Sequence, residues 1–345
     1  MSTTRRKART PLTEAADHGG SSGAHVLGDV PARNPGIPFD HDALGAVRVN
    51  RSAVERRAAT LPARRTVKRE WQAAWLLRAV SCLDLTTLSG DDTDTNVRRL
   101  CAKARRPVRA DLLAALGVEP ASIRVAAVCV YHRFIGTALE ALAGSGIPVA
   151  AVSAGFPAGL NPREQRLAEI RASVEAGASE IDVVITRAHV LGGRWQDLYD
   201  EVRALREACG RAHLKVILAT GDLGTLTNVA RASSVAMTAG ADFIKTSTGK
   251  ETVNATLPVG VVMARRIRAY SDETGWAVGF KPAGGIRSAA SALHWLMLVQ
   301  EELGRRWLEP SLFRIGASGL LTDIERQLEH HVTAHYSAAH RHPMV

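Results

Sequence analysis

The sequence predicts an α/β fold, a (β/α)8 TIM barrel preceded by an N-terminal extension. Three observations predict it. Eight short, β-prone runs recur through the chain with helix-like segments between them. No GxGxxG follows the first run, which disfavours a doubly wound open sheet. The runs are apolar almost throughout, as parallel strands covered on both faces are.

Taken in order, residues 1–45 are rich in Gly, Ser, Pro and Arg without periodicity and read as a disordered basic tail. Residues 46–70 read as a helical extension, with a helix from Ser52 to Arg65 interrupted near Pro62. The barrel is assigned to residues 71–340. Trp71, Trp75, Leu76 and Leu77 begin an amphipathic helix that leads into the first strand. The expected strands are Ala79–Thr86, Val125–Tyr131, Val149–Gly155, Glu180–Ile185, Leu214–Thr220, Phe243–Ser247, Ala277–Lys281 and Leu312–Gly316. The expected helices include Pro162–Ala176, Trp195–Ala208, Leu226–Ala239, Pro258–Tyr270 and Ala289–Glu302.

Composition narrows the function classes. The 345 residues are 46% hydrophobic and 23% charged, ordinary for a globular protein. No apolar run reaches the roughly 20 residues of a membrane span. The N-terminus lacks the apolar core of a signal peptide, so a cytoplasmic protein is expected. Cys82, Cys101, Cys129 and Cys209 have neither CxxC nor zinc-ligand spacing and are expected to be reduced. The net charge is +10, and residues 1–70 hold thirteen Lys or Arg against seven Asp or Glu. That surplus could contact nucleic acid, but the tail has no interleaved aromatics to stack on bases, so a nucleic-acid partner is disfavoured. A basic balance also suits a phosphorylated small substrate.

In a TIM barrel, chemistry lies at the carboxyl ends of the strands. Lys245 and Lys281 interrupt apolar runs on the sixth and seventh strands, and Asp182 interrupts the fourth. Lys245 could instead snorkel outward or pair with a carboxylate, and Asp182 could merely neutralise a buried lysine. Three inward charged groups on nearby strands favour catalysis. An ordinary lysine, with a pKa of about 10.4, is neutral in only a few of about ten thousand molecules at pH 7. A cationic neighbour at about 4 Å supplies on the order of 4 kcal/mol against protonation at an effective dielectric of 20, and burial adds to it. A buried lysine pair can therefore yield a free amine, a nucleophile towards carbonyls, while Asp182 relays protons. A separate anion site is expected from Lys250, from Gly284, Gly285 and Arg287 before a helix start at Ser288, and from Gly316 and Ser318. The twelve histidines form no HExxH cluster, and no metal or cofactor is expected.

Five motifs on separate strands carry a family resemblance. They are Asp84-Leu85-Thr86-Thr87-Leu88, Ala127-Val128-Cys129-Val130-Tyr131, Glu180-Ile181-Asp182-Val183-Val184, Phe243 to Lys250, and Gly279-Phe280-Lys281-Pro282-Ala283-Gly284-Gly285. Over about residues 65–340 the chain resembles deoxyribose-phosphate aldolases, in their longer, animal-like form. The resemblance implies a metal-free class I aldolase, EC 4.1.2.4, interconverting 2-deoxy-D-ribose 5-phosphate with glyceraldehyde 3-phosphate and acetaldehyde. It implies Lys245 as the Schiff-base lysine, Lys281 as its perturbing neighbour and Asp182 as proton donor and acceptor. Asp84 and Cys129 would be pocket residues. Lys250, Gly284, Gly285, Arg287, Gly316 and Ser318 would hold the phosphate.

The chain departs from the family pattern at Gly319, where a second hydroxyl is usual, at His132 in place of proline, and at Asp222 in place of glutamate. It ends in Pro343-Met344-Val345 rather than the tyrosine some members use in proton transfer. Two alternatives stand beside this expectation. One is a Schiff-base aldolase for another phosphorylated sugar; the other is a non-catalytic protein binding through its basic tail. A homo-oligomer is left open by the sequence.

Overall fold

A computed structural model of the chain describes residues 26–27, 30–31, 33–64 and 67–342. Eight parallel strands curl into a barrel: β1 (Leu83–Thr86), β2 (Ala127–Tyr131), β3 (Val149–Ser153), β4 (Glu180–Val184), β5 (His213–Ile217), β6 (Phe243–Lys245), β7 (Gly279–Lys281) and β8 (Ile315–Gly316). Their hydrogen-bonded order runs from β8 to β1 and then in sequence to β7. Bridges from Phe280 to Phe313 and from Ala283 to Gly316 join β7 to β8 and complete the ring.

The helices are α1 (His41–Ala46), α2 (Arg51–Arg64), α3 (Arg69–Ser81), α4 (Asp94–Arg105), α5 (Ala110–Ala115), α6 (Ile135–Leu142), α7 (Arg163–Glu175), α8 (Arg187–Leu191), α9 (Trp195–Ala208), α10 (Leu226–Thr238), α11 (Leu257–Thr274), α12 (Ala289–Glu302) and α13 (Gly319–Thr333). Alternate strand residues such as Val128, Ile181, Val216 and Ile244 face outward and join the large core under the helices. The residues between them face inward, where Cys129, Ala150 and Val152 form one small cluster and Val184, Ile217 and Ala219 another. Both faces are therefore buried, which is why the runs read as apolar throughout.

Strand limits differ from the expected ones for local reasons. Ala79–Ser81 is the last turn of α3 and not the start of β1; that turn and the strand are both buried, so hydrophobicity does not mark the break. β5 ends at Ile217 because Ala219 turns into the left-handed region at φ 54°. β6 stops at Lys245, and beyond it Thr246 N–H donates to the Lys281 carbonyl at 3.1 Å and the Thr246 carbonyl accepts from Thr220 N–H at 2.9 Å. The helices Trp195–Ala208 and Ala289–Glu302 have the expected bounds. Pro62 falls in the last turn of α2, where it does not stop the helix. In α3, Leu76 and Leu77 are buried, while Trp71 is 73% exposed.

The boundary at residue 45 is revised. Residues 1–25 of the expected tail lie outside the described residues, but residues 33–46 form an ordered strap on the barrel. Asn34 is its anchor. Its side-chain amide donates to the carbonyls of Met237 and Ala241, both at 2.9 Å, and its oxygen accepts from the Tyr270 hydroxyl at 2.9 Å. Its backbone N–H donates to Asp242 Oδ1 at 2.9 Å. The strap continues with Ile37 N–H on the Thr238 carbonyl at 2.8 Å and Tyr199 O–H on the Ile37 carbonyl at 3.0 Å. The expected extension, 46–70, is likewise part of the same body: Arg57 of α2 pairs with Glu301 at 2.7 Å and Glu302 at 2.8 Å on α12. Among the described residues, no helix is long and apolar enough to cross a membrane.

Replacing Asn34 takes the side-chain partner from the Ala241 carbonyl and the Tyr270 hydroxyl, while the Met237 carbonyl keeps Gly240 N–H at 3.0 Å. Asn34→Ala is expected to lower unfolding free energy by about 2–4 kcal/mol, read by urea denaturation, and to speed proteolysis within residues 33–46. Unchanged denaturation and proteolysis would remove the anchor role.

Candidate active site

Register brings the ionisable residues together. Asp182 on β4 is paired with Lys215 on β5, and Lys245 on β6 is paired with Lys281 on β7. Because side chains alternate, Glu180 and Asp182 share one face of β4, and that face points into the barrel. Asp182 Oδ2 accepts from Lys245 Nζ at 2.7 Å and from Lys281 Nζ at 2.8 Å. Two nitrogens on one oxygen must be neighbours, so Lys245 and Lys281 face one space, as the sequence reading requires. Lys281 also pairs with Asp84 Oδ2 at 2.6 Å.

These contacts give the two lysines opposite characters. Lys281 is wholly buried, which opposes its charge, but Asp182 and Asp84 outweigh burial and hold it above the ordinary lysine range. Lys245 is held below that range. Burial is the main cause, and the Lys281 charge adds to it against the pull of Asp182. The order of causes reverses the sequence-based expectation, in which the cationic neighbour led and burial supplied the remainder. Burial pushes the Asp182 carboxyl up, but Lys215, Lys245 and Lys281 hold it well below the usual carboxylate range. Asp84 is likewise held down by Arg314, Lys281 and Lys215 against burial. The Cys129 thiol is pushed up to about 11 by burial, with the Asp182 charge adding, so it stays neutral near Lys245.

Sequence reasoning gave no role to Lys215, Glu180 and Arg314, which the fold joins to this site, nor to Arg187 and Glu251 on its rim. Lys215 contacts Glu180, lies 3.3 Å from Asp182 Oδ1 and reaches Asp84 Oδ2 at 3.5 Å. Arg314, just before β8, pairs with Asp84 at 2.6 Å and with Glu180 at 2.8 Å. An arginine inside the run Leu312–Gly316 was the signal available for Arg314. On the rim, Arg187 pairs with Asp222 at 2.9 Å and donates to the Ala158 carbonyl at 2.9 Å. Glu251 accepts from the N–H groups of Thr248 and Gly249, both at 3.1 Å, which fixes the loop carrying Lys250.

The expected anion residues lie on adjoining loops but not all in the expected role. Gly284 and Gly285 have φ of 83° and 81°, the left-handed region that favours glycine. A Cβ on Gly284 would strike Asn254 of the β6 loop at 2.6 Å, so the loops after β6 and β7 touch. Lys250 and Arg287 are exposed beside them, and Ser288 caps α12 by accepting from Ser291 N–H. Gly316 departs from expectation. Its N–H already donates to the Pro282 carbonyl at 2.9 Å and is not available to an anion. Its contribution is space, since a Cβ there would lie 2.9 Å from Ala283 Cβ and 3.3 Å from Lys281 Cε. The Ser318 hydroxyl accepts from Thr86 N–H at 3.0 Å and donates to the Thr86 carbonyl, so it ties the end of β8 to β1. His132 meets Ser173 at 3.1 Å.

The profile of the DeoC/LacD family aldolases matches residues 78–322. A deoxyribose-phosphate aldolase of Homo sapiens is 62% identical over 315 residues, covering 91% of this chain and 99% of the human one. One of Mus musculus is 62% identical over 311 residues, covering 90% and 98%. In structure, the tetrameric deoxyribose phosphate aldolase of Aeropyrum pernix matches with a TM-score of 0.54 at 24% identity, over 81% of this chain and 99% of that one, which is a likeness of fold.

Lys245 is 3% exposed, whereas Lys215 and Lys281 are fully buried. Only Lys245 of the three has its amine lowered towards the neutral form. Brief treatment with cyanate at pH 7 is expected to carbamylate Lys245 well ahead of the other two, read by peptide mass mapping. Equal labelling of all three would contradict the assignment.

Proposed function

The chain belongs to the DeoC/LacD family of aldolases, and from that membership we infer a lyase, EC 4.1.2.4, that cleaves 2-deoxy-D-ribose 5-phosphate to glyceraldehyde 3-phosphate and acetaldehyde. One observation carries the assignment of its chemistry to particular residues: the single Asp182 oxygen shared by Lys245 and Lys281.

In this reading the neutral Lys245 amine attacks C1 of the open-chain sugar phosphate. A carbinolamine forms, takes a proton on its hydroxyl and loses water to give an iminium. Asp182, bonded to both lysines, and the Lys281 ammonium beside it receive and return these protons. The iminium withdraws electrons from the C2–C3 bond. As the C3 hydroxyl gives up its proton, that bond breaks and glyceraldehyde 3-phosphate departs. The enamine left on Lys245 takes a proton at carbon, and water releases acetaldehyde and the free lysine. Lys250, Arg287 and the Gly284-Gly285 turn hold the phosphate by charge and by backbone N–H groups. Asp84 fixes the Lys281 charge, and Cys129 lines the pocket as a neutral thiol. Gly316 keeps room for Lys281, and Ser318 steadies the adjoining strand end. The four cysteines are all buried and unpaired, which suits a reducing compartment such as the cytoplasm.

Borohydride added with 2-deoxy-D-ribose 5-phosphate is expected to trap a two-carbon or sugar adduct on Lys245, located by peptide mass mapping. Lys245→Ala is expected to lose turnover by about 10⁴-fold or more with an unchanged circular dichroism spectrum. An adduct on a different lysine would overturn the assignment.

The pH dependence follows from the direction of the Lys245 shift. A lowered amine is neutral above its own pKa, so kcat/KM is expected to fall as pH drops through that value. Lys281→Leu removes a cation that opposes protonation of Lys245, and so the acid limb should move to higher pH. A limb that stays in place would exclude the coupling between the two lysines.

A further inference from the structure

The barrel interior holds more charge than the proposed reaction uses. Seven ionisable side chains, Asp84, Glu180, Asp182, Lys215, Lys245, Lys281 and Arg314, form one connected network, and none is more than 5% exposed. It has two tiers. Above, Lys245 and Lys281 share Asp182. Below, Arg314 grips Glu180 with one nitrogen at 2.8 Å and another at 3.2 Å. Lys215 and Asp84 connect the tiers, Lys215 touching all three carboxylates and Asp84 pairing with both Arg314 and Lys281.

Three carboxylates stand against four cations. Fully ionised, the network carries one uncompensated positive charge in a place without solvent, which is costly. Loss of one proton relieves it. Arg314 cannot supply that proton, since a guanidinium does not give one up in proteins. Lys215 is held by three carboxylates and Lys281 by two. Lys245 is held by one oxygen, which it shares. It is therefore the group from which the proton leaves, in accord with the opposite shifts of Lys245 and its two fellow lysines. The remaining neighbours do not alter the count. Burial keeps Cys129 neutral. His213, 4.0 Å from Glu180, is brought down to about 3 by burial and is also neutral. Arg33 feels the Asp242 carboxylate, outside the network, more strongly than Glu180, and it donates to the Arg211 carbonyl.

We propose that Arg314 and Glu180, on the floor of the barrel, are positioning residues that set the number of protons in this network and thereby leave Lys245 as the one free amine. They touch no reacting atom. The proposal rests on the reading of Lys245 as the Schiff-base lysine.

Charge-altering variants at the floor test it through the pH profile of kcat/KM. Arg314→Met brings the fully ionised network to zero, so Lys245 keeps its proton. The acid limb should rise by about one pH unit or more, with an approximately tenfold loss at pH 7 that is recovered at higher pH. Lys215→Met, on a different strand, makes the same change in count and should move the limb the same way. Glu180→Gln raises the count and should move it down. The double variant Arg314→Met with Glu180→Gln restores a count of one and should return the limb towards its original position, whatever it costs in melting temperature. Limbs that stay fixed while rates fall in all variants, with additive losses in the double one, would overturn the proposal and leave these residues as packing. If Arg314→Met does not fold, Lys215→Met and the double variant decide the matter. Borohydride trapping on each variant separates the two ideas. Lys245 labelled in every variant with an immobile limb sinks the floor proposal alone; no label on Lys245 in the parent sinks the Schiff-base assignment beneath it.

Discussion

One carboxylate oxygen, Asp182 Oδ2, accepts from two lysines on successive strands, and the site depends on that sharing. A lysine alone in a barrel would either shed its proton or find a carboxylate of its own, and neither outcome makes a catalyst by itself. Here the two lysines divide the outcomes. Lys281 has a second carboxylate, Asp84, and remains an ammonium. Lys245 has none and moves towards the free amine. An ammonium and an amine drawn towards its neutral form are thus held against one carboxylate, from residues of identical chemistry.

The parallel barrel makes this arrangement possible. Its strands run in register, so that Lys245 lies beside Lys281, Ile217 beside Lys245, and Asp182 beside Lys215. A one-residue slip would turn every charged side chain out under the helices. The register is held from outside by the large apolar core and at the ring closure by the bridges from β7 to β8. Gly316 belongs to the same constraint, since a methyl group there would press on Lys281 from the neighbouring strand.

Much of this was legible in the sequence because both strand faces are buried and the charged exceptions stand out. Lys245, Lys281 and Asp182 interrupt apolar runs, and they do meet. The limits of the strands were less legible. Nothing in the run from Ala79 onward distinguishes a buried helical turn from a buried strand, and only the turn at Cys82 separates them. The floor of the barrel was least legible. Arg314 and Glu180 are 134 residues apart, and a single arginine beside a strand is as compatible with solvent as with a distant carboxylate. The roles of Gly316 and Ser318 depended on which partner their backbone and hydroxyl groups had already taken, which spacing does not encode. The strap at residues 33–46 was hidden for a similar reason: its polar, glycine- and proline-containing sequence is satisfied by carbonyls more than 200 residues away.

That strap has a consequence for the way the polypeptide comes off the ribosome. Asn34 is made early, yet its receptors, Met237, Ala241, Asp242 and Tyr270, are made some 200 residues later. This segment must wait, unattached, until the far half of the ring has emerged. Asp242 lies three residues ahead of Lys245 and also receives Leu214 N–H and Arg206. Docking of residues 33–46 is therefore a late act of assembly, a latch thrown just ahead of the strand that bears Lys245.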